Sequence, residues 1–194
     1  MFIRNLFVPG LAALALAACG SDMSTLETAG ASADQKPKLE LNVARLQIAT
    51  GYEAPEGATH VEDELAVPLH QRVLTWADAR LAPRGREGVA RITVTDASIV
   101  ETRLTEDAGI SAPMRAPQTI RFTATLAATF EAVDEGGKRT GYTQARAELS
   151  RTMSAHESAA ARRQVLDMLA DAVLEKFDQE METSLRAYAG PYVM

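Results

Sequence analysis

The chain has 194 residues, 46% hydrophobic and 24% charged, a balance that excludes collagen-like, wholly disordered and polytopic membrane classes. Its 20 Lys and Arg stand against 26 Asp and Glu, for a net charge of −6, and a surface of that sign repels phosphate backbones, so nucleic acid is not an expected partner. One cysteine can make neither an internal disulfide nor a Cys-rich metal site.

The N-terminus has the pattern of an export signal over residues 1–18. Arg4 supplies a basic start, and Leu6 to Ala18 is apolar apart from Pro9 and Gly10. That run falls short of the roughly 20 residues that span a bilayer. It ends Leu16-Ala17-Ala18-Cys19, with Gly20 next. This ending resembles the lipobox of bacterial lipoproteins, in which the Cys becomes the lipidated first residue after cleavage. The one Cys of the chain stands at the one position that motif requires. The resemblance implies a membrane anchor on Cys19 built from acyl chains such as palmitate. In such lipoproteins an Asp directly after the Cys tends to retain the protein at the inner membrane. Gly20 and Ser21 follow here and Asp22 comes too late, so the resemblance implies the periplasmic face of the outer membrane. From the lipidated Cys to Lys38 the chain is a flexible tether without apolar period, spanning about 25 Å by square-root scaling.

A single α+β domain is expected over residues 39–190. Leu39, Leu41 and Val43 alternate with polar residues, then the phase slips to Leu46 and Ile48, which predicts a strand with a bulge near Ala44-Arg45. Gly51 to Gly57 reads as a loop, and Val61, Asp63, Leu65 and Val67 alternate briefly. Pro68 suits the first turn of a helix whose apolar face is Leu69, Val73, Trp76, Ala77 and Leu81, ended by Ala82-Pro83-Arg84-Gly85. The next strand sets Ala90, Ile92 and Val94 against Arg91, Thr93 and Thr95 and continues through Val100, Thr102 and Leu104. The clearest alternation runs from Ile120 to Ala132, followed by an Asp134-Glu135-Gly136-Gly137 turn and a strand from Thr143 to Met153. Ser154 to Glu157 fits a capping box before a long helix with the stripe Leu166, Leu169, Val173, Phe177, Met181 and Tyr188, closed by Gly190-Pro191. The order β-α-β-β-β-α predicts a four-stranded, mostly antiparallel sheet with two helices on one face. Aromatics are only 5%, so the core rests on aliphatic residues with Phe122, Leu126, Phe130, Leu149, Leu166, Val173 and Phe177 at its centre.

Catalytic patterns are not found. His60, His70 and His156 have no metal-ligand spacing to one another or to Cys19, so no metal or other cofactor is expected. No nucleophile elbow, phosphate loop or dinucleotide fingerprint occurs, and the protein is expected not to be an enzyme. Glu62, Asp63, Glu64, Glu106 and Asp107 read as solvated carboxylates. Two binding candidates stand out. Arg80, Arg84, Arg86 and Arg91 cluster around the end of the first helix, as an anion or lipid-phosphate contact or as a solvated surface that complements the helix dipole. The loop from Thr105 to Pro117 carries Ile110 and Met114 amid small residues, as a partner surface or as a segment folded back on its own sheet.

A lipidated Cys followed by strand, helix, three-strand meander and helix is similar to small envelope lipoproteins that serve transport machines, among them the LPS-assembly lipoprotein LptE and the PqiC-type auxiliary lipoproteins of ABC transport systems. The likeness is most specific from Ile99 to Met153, where a strand, a polar loop, a long alternating strand, an Asp134-x-Gly136 turn and a strand ending Leu149-Ser150-Arg151 follow in matching order. It implies a non-enzymatic accessory subunit of a lipid-transport or envelope-assembly complex, with a protein partner in the envelope. An activator or scaffold for a cell-wall synthase is the alternative left open.

Overall fold

A computed structural model describes residues 36–55, 59–104 and 119–194. Alternating residues build the main sheet: β2 (Arg45–Thr50), β4 (Val89–Leu104), β5 (Thr119–Val133) and β6 (Arg139–Ser154), in that spatial order. β2 runs parallel to β4, while β4, β5 and β6 form an antiparallel meander. β5 shows why the pattern is so plain. Ile120, Phe122, Ala124, Leu126, Ala128, Phe130 and Ala132 are all buried on one face, as period-2 burial requires. Asp134 closes the β5–β6 hairpin, its carboxylate accepting from the Lys138 amide at 2.9 Å while Gly137 takes a φ of 80°, a conformation that suits glycine.

The inner face of the sheet is covered by α1 (Leu69–Arg80) and α2 (Ala159–Tyr188). Both apolar stripes enter one core that contains Leu69, Val73, Trp76, Leu166, Leu169, Val173, Phe177 and Met181. The Trp76 and Phe177 rings meet edge-on with centroids 5.1 Å apart. The fold is α+β with an open, mixed four-stranded sheet. A smaller parallel sheet joins β1 (Leu39–Leu41) to β3 (Leu81–Pro83). Val193 bridges to Leu41, and the Met194 amide donates to the Glu40 carbonyl, so residues beyond Gly190 belong to the folded unit.

Several expectations are corrected. Residues 39–48 are two strands in different sheets and not one strand bulged at Ala44-Arg45. The phase slip marks the chain crossing from β1 to β2. Leu81 is buried as expected but begins β3, one residue past the helix. A bulge falls instead between Val94 and Asp96, after which Ala97 and Ile99 take the buried face and Val100 and Thr102 do not. Val61 to Leu65 is a 3-10 turn over Glu62–Glu64. The cap of α2 is Ser158, whose hydroxyl accepts from the Ala161 amide. Ser154 stays in β6, whose pairing with β5 extends to Thr119. At the far end of α2, Leu185 is buried and Tyr188 is 74% exposed, because the buried positions there are taken by Leu185 and Ala189. Leu149 is only half-buried, at the open edge of the sheet.

Candidate functional site

The four clustered arginines are not brought together. Arg80 is 1% exposed. It sits at the next position of the stripe Leu69, Val73, Trp76 and Ala77, so helical periodicity turns it inward. There it faces a row of acids down one side of α2, Asp167, Asp171, Asp178 and Glu182. Arg80 donates to Asp178 Oδ1 through Nε and to Glu182 Oε2 through Nη2, both at 2.8 Å, and its Nη1 donates to the Pro37 carbonyl. One pair of turns earlier, Arg72 meets Asp167 at 2.6 Å and Asp171 at 2.5 Å. The order of these contacts means that α1 and α2 run in the same direction, fastened by two forked guanidinium groups.

Asp178 is the centre of this seam. It is 2% exposed and accepts from Trp76 Nε1 at 2.9 Å, Arg80 Nε at 2.8 Å and Lys36 Nζ at 2.8 Å. Burial pushes its carboxyl up, but the hydrogen bonds from Lys36, Arg80 and Trp76 and the charge of Arg80 outweigh burial and hold it below the ordinary aspartate range. Lys36 and Pro37, expected in the tether, are thereby fixed to the domain. Arg80 is committed to these contacts and leaves the anion cluster.

Arg91 faces outward from the sheet, 3.3 Å from Gln47 Oε1 and opposite Glu131 on β5. Arg84 and Arg86 alone share a site. They line a depression of about 500 Å³ together with Asn42, Glu87, Asp134, Glu135, Thr140 and Tyr192. The loop that carries them is pinned from below. The Gly85 amide donates to the Leu41 and Val43 carbonyls, and the Ala44 amide is held by the Glu87 and Gly88 carbonyls. A Cβ on Gly85 would lie 2.5 Å from the Asn42 and Val43 backbone, and Gly88 has a φ of 76°, so both positions demand glycine. Arg84 keeps its head 60% exposed with Glu40 at 3.5 Å.

A second buried carboxylate was not expected. Glu62 is 6% exposed, against its solvated expectation. Tyr52 donates its hydroxyl to Oε1 at 2.5 Å and the Ile99 amide donates to Oε2 at 3.2 Å. Burial and the Glu62 contact push the Tyr52 hydroxyl well up from its ordinary value, so it remains a neutral donor. His60 Nδ1 lies 3.3 Å from the same carboxylate. Glu64 takes both arms of a fork from Arg162 at 2.7 and 2.6 Å, and that guanidinium also covers the Phe122 ring at 4.8 Å. Hydrogen bonding to Arg162 holds the Glu64 carboxyl down. These contacts latch the crossover between β2 and α1 onto β4 and α2.

Among the described residues no group of three or more His, Cys, Asp or Glu is placed to hold a metal, and no helix is long and apolar enough to cross a membrane. Cys19, Ile110, Met114, Glu106 and Asp107 lie outside the described residues.

No family model matches the sequence, and no curated protein matches it. Solved structures similar to the chain include bacterial lipoproteins. A minor lipoprotein of Acinetobacter baumannii has 13% identity and a TM-score of 0.39, with 78% of this chain and 96% of that one covered. The rare lipoprotein B of Shewanella oneidensis has 12% identity and a TM-score of 0.40, covering 72% and 92%. A neuraminyllactose-binding hemagglutinin homologue from Helicobacter pylori has 8% identity and a TM-score of 0.38, covering 76% and 94%. At these values the overlap is partial.

Proposed function

We propose that the chain is a lipid-anchored envelope protein, held through Cys19 at the periplasmic face of the outer membrane. It acts there as a non-enzymatic accessory subunit of a lipid-transport or envelope-assembly complex. The observation that carries this reading is the short apolar run ending Leu16-Ala17-Ala18-Cys19-Gly20, with the one Cys of the chain at the position a lipobox requires. The domain supports it in a second way. The buried charged groups among the described residues, Arg80, Asp178 and Glu62, are consumed in fastening elements to one another. What the described surface offers is charge and shape for binding, at Arg84 and Arg86.

Crosslinking in living cells, followed by identification of the captured proteins, tests the role. Enrichment of lipid-transport or envelope-assembly components is expected. Enrichment of cell-wall synthases would replace this reading by the activator alternative, and a protein that captures no envelope component would overturn both.

A further inference from the structure

The depression between residues 84–88 and the β5–β6 hairpin carries both signs of charge. Arg84 and Arg86 stand on one loop beside Glu87, and Asp134 and Glu135 come from the hairpin turn facing it. Carboxylates outnumber guanidinium groups there, so the site does not suit a bare anion. Residues 84–88 are held in place before any ligand arrives: the Gly85 amide donates to the Leu41 and Val43 carbonyls, and the Glu87 and Gly88 carbonyls accept from the Ala44 amide, which reduces the ordering cost of binding.

We propose that this depression binds a phosphoethanolamine-type zwitterion, a phosphate ester with a primary ammonium two carbons away. Arg84 and Arg86 take the phosphate, by the forked guanidinium geometry that suits its oxygens. Glu87 and Glu135 take the ammonium, whose three N–H groups need acceptors. Asp134 gives one oxygen to the Lys138 amide and shapes the rim. The cavity of about 500 Å³ falls in the range of small-ligand sites. The ligand could be a lipid headgroup or a soluble phosphoethanolamine compound. Only the choice between these sources touches the proposed envelope role; the site stands on its own geometry.

The test uses the purified mature protein in detergent, titrated with O-phosphoethanolamine, phosphocholine and inorganic phosphate by calorimetry or NMR. Phosphoethanolamine should bind at least about tenfold more tightly than either of the others, since phosphocholine cannot donate from its quaternary nitrogen and phosphate lacks the cation. Changing Arg84→Gln with Arg86→Gln should abolish binding of all three. Changing Glu87→Gln with Glu135→Gln should remove the preference and leave residual phosphate binding. All four side chains are outside the core, and circular dichroism checks that each variant folds. Neutral phosphatidylcholine vesicles with and without phosphatidylethanolamine, mixed in detergent-free buffer with residues 20–194 produced without the acyl anchor, separate the sources. Selective capture of the second kind marks a lipid headgroup, and soluble binding without capture marks a small molecule. Equal affinity for the three probes, or binding unchanged in the double arginine variant, overturns the proposal. Neither result depends on which proteins are crosslinked in cells.

Discussion

Arg80 and Arg84 are four residues apart and do opposite work. Arg80 ends α1 on its buried stripe, desolvated between Asp178, Glu182 and the Pro37 carbonyl. Arg84 lies just past β3, with its head in water above a loop pinned by Gly85. A buried guanidinium is stable only with its acceptors in place, because removing one partner strands the other's charge in low dielectric. An exposed one contributes little to folding and is free to bind. The comparison teaches that a run of arginines is not a functional unit; helix phase decides which are fasteners and which are available.

Breaking the seam should have the largest effect. Asp178→Ala or Arg80→Ala each takes a charged partner from a buried, hydrogen-bonded group and should cost about 3–5 kcal/mol in urea unfolding. Arg80→Met combined with Asp178→Leu should cost less than either single change, because the charges left without these partners, Lys36 and Glu182, still reach water. A double variant as unstable as the sum of the two would contradict the seam described above.

The same seam predicts a pH dependence. The Asp178 carboxyl is held below its unfolded value, so its stabilisation is complete above the unfolded pKa of about 3.9 and is lost as pH falls through the native one. Stability measured against Asp178→Asn from pH 7 to pH 3 should show a gap that narrows below about pH 4. A gap that widens on acidification would reverse the sign.

The crossover latch comes next. Tyr52→Phe removes the donor to Glu62 Oε1 and should cost about 1.5–3 kcal/mol, the range for hydrogen bonds to charged groups. Hydrogen exchange should show faster opening of the Val61 and Glu101 amides, which pair with Ile99 and Thr59 across that seam. The smallest effect belongs to the loop: Arg84→Gln with Arg86→Gln should change stability by no more than about 0.5 kcal/mol. A larger loss would place those side chains among the fasteners with Arg80.

Much of this architecture is legible in the chain. β5 buries every second residue from Ile120 to Ala132, and α2 buries Leu166, Leu169, Val173, Phe177 and Met181, because a half-buried element must carry its period. The split of residues 39–48 into two sheets is not legible, since a strand alternates in the same way whichever partner it has. Arg80 was marked by its phase, seven residues after Val73, and Asp167, Asp171, Asp178 and Glu182 share one helical side at matching spacing. Read together, those two patterns point to the seam. Glu62 carries no such mark. Its burial depends on Tyr52 and on the amide of Ile99, 37 positions away, and a short acidic turn looks the same whether water or protein covers it.

The central claim is that this domain works from a lipid anchor on Cys19. Metabolic labelling with radioactive palmitate, followed by fractionation of the envelope, tests it most directly in the wild-type chain and in Cys19→Ser. Label and outer-membrane recovery are expected for the wild type, with an unlabelled variant that is not processed before residue 19. A Cys19→Ser protein that is processed normally and stays in the outer membrane would contradict it.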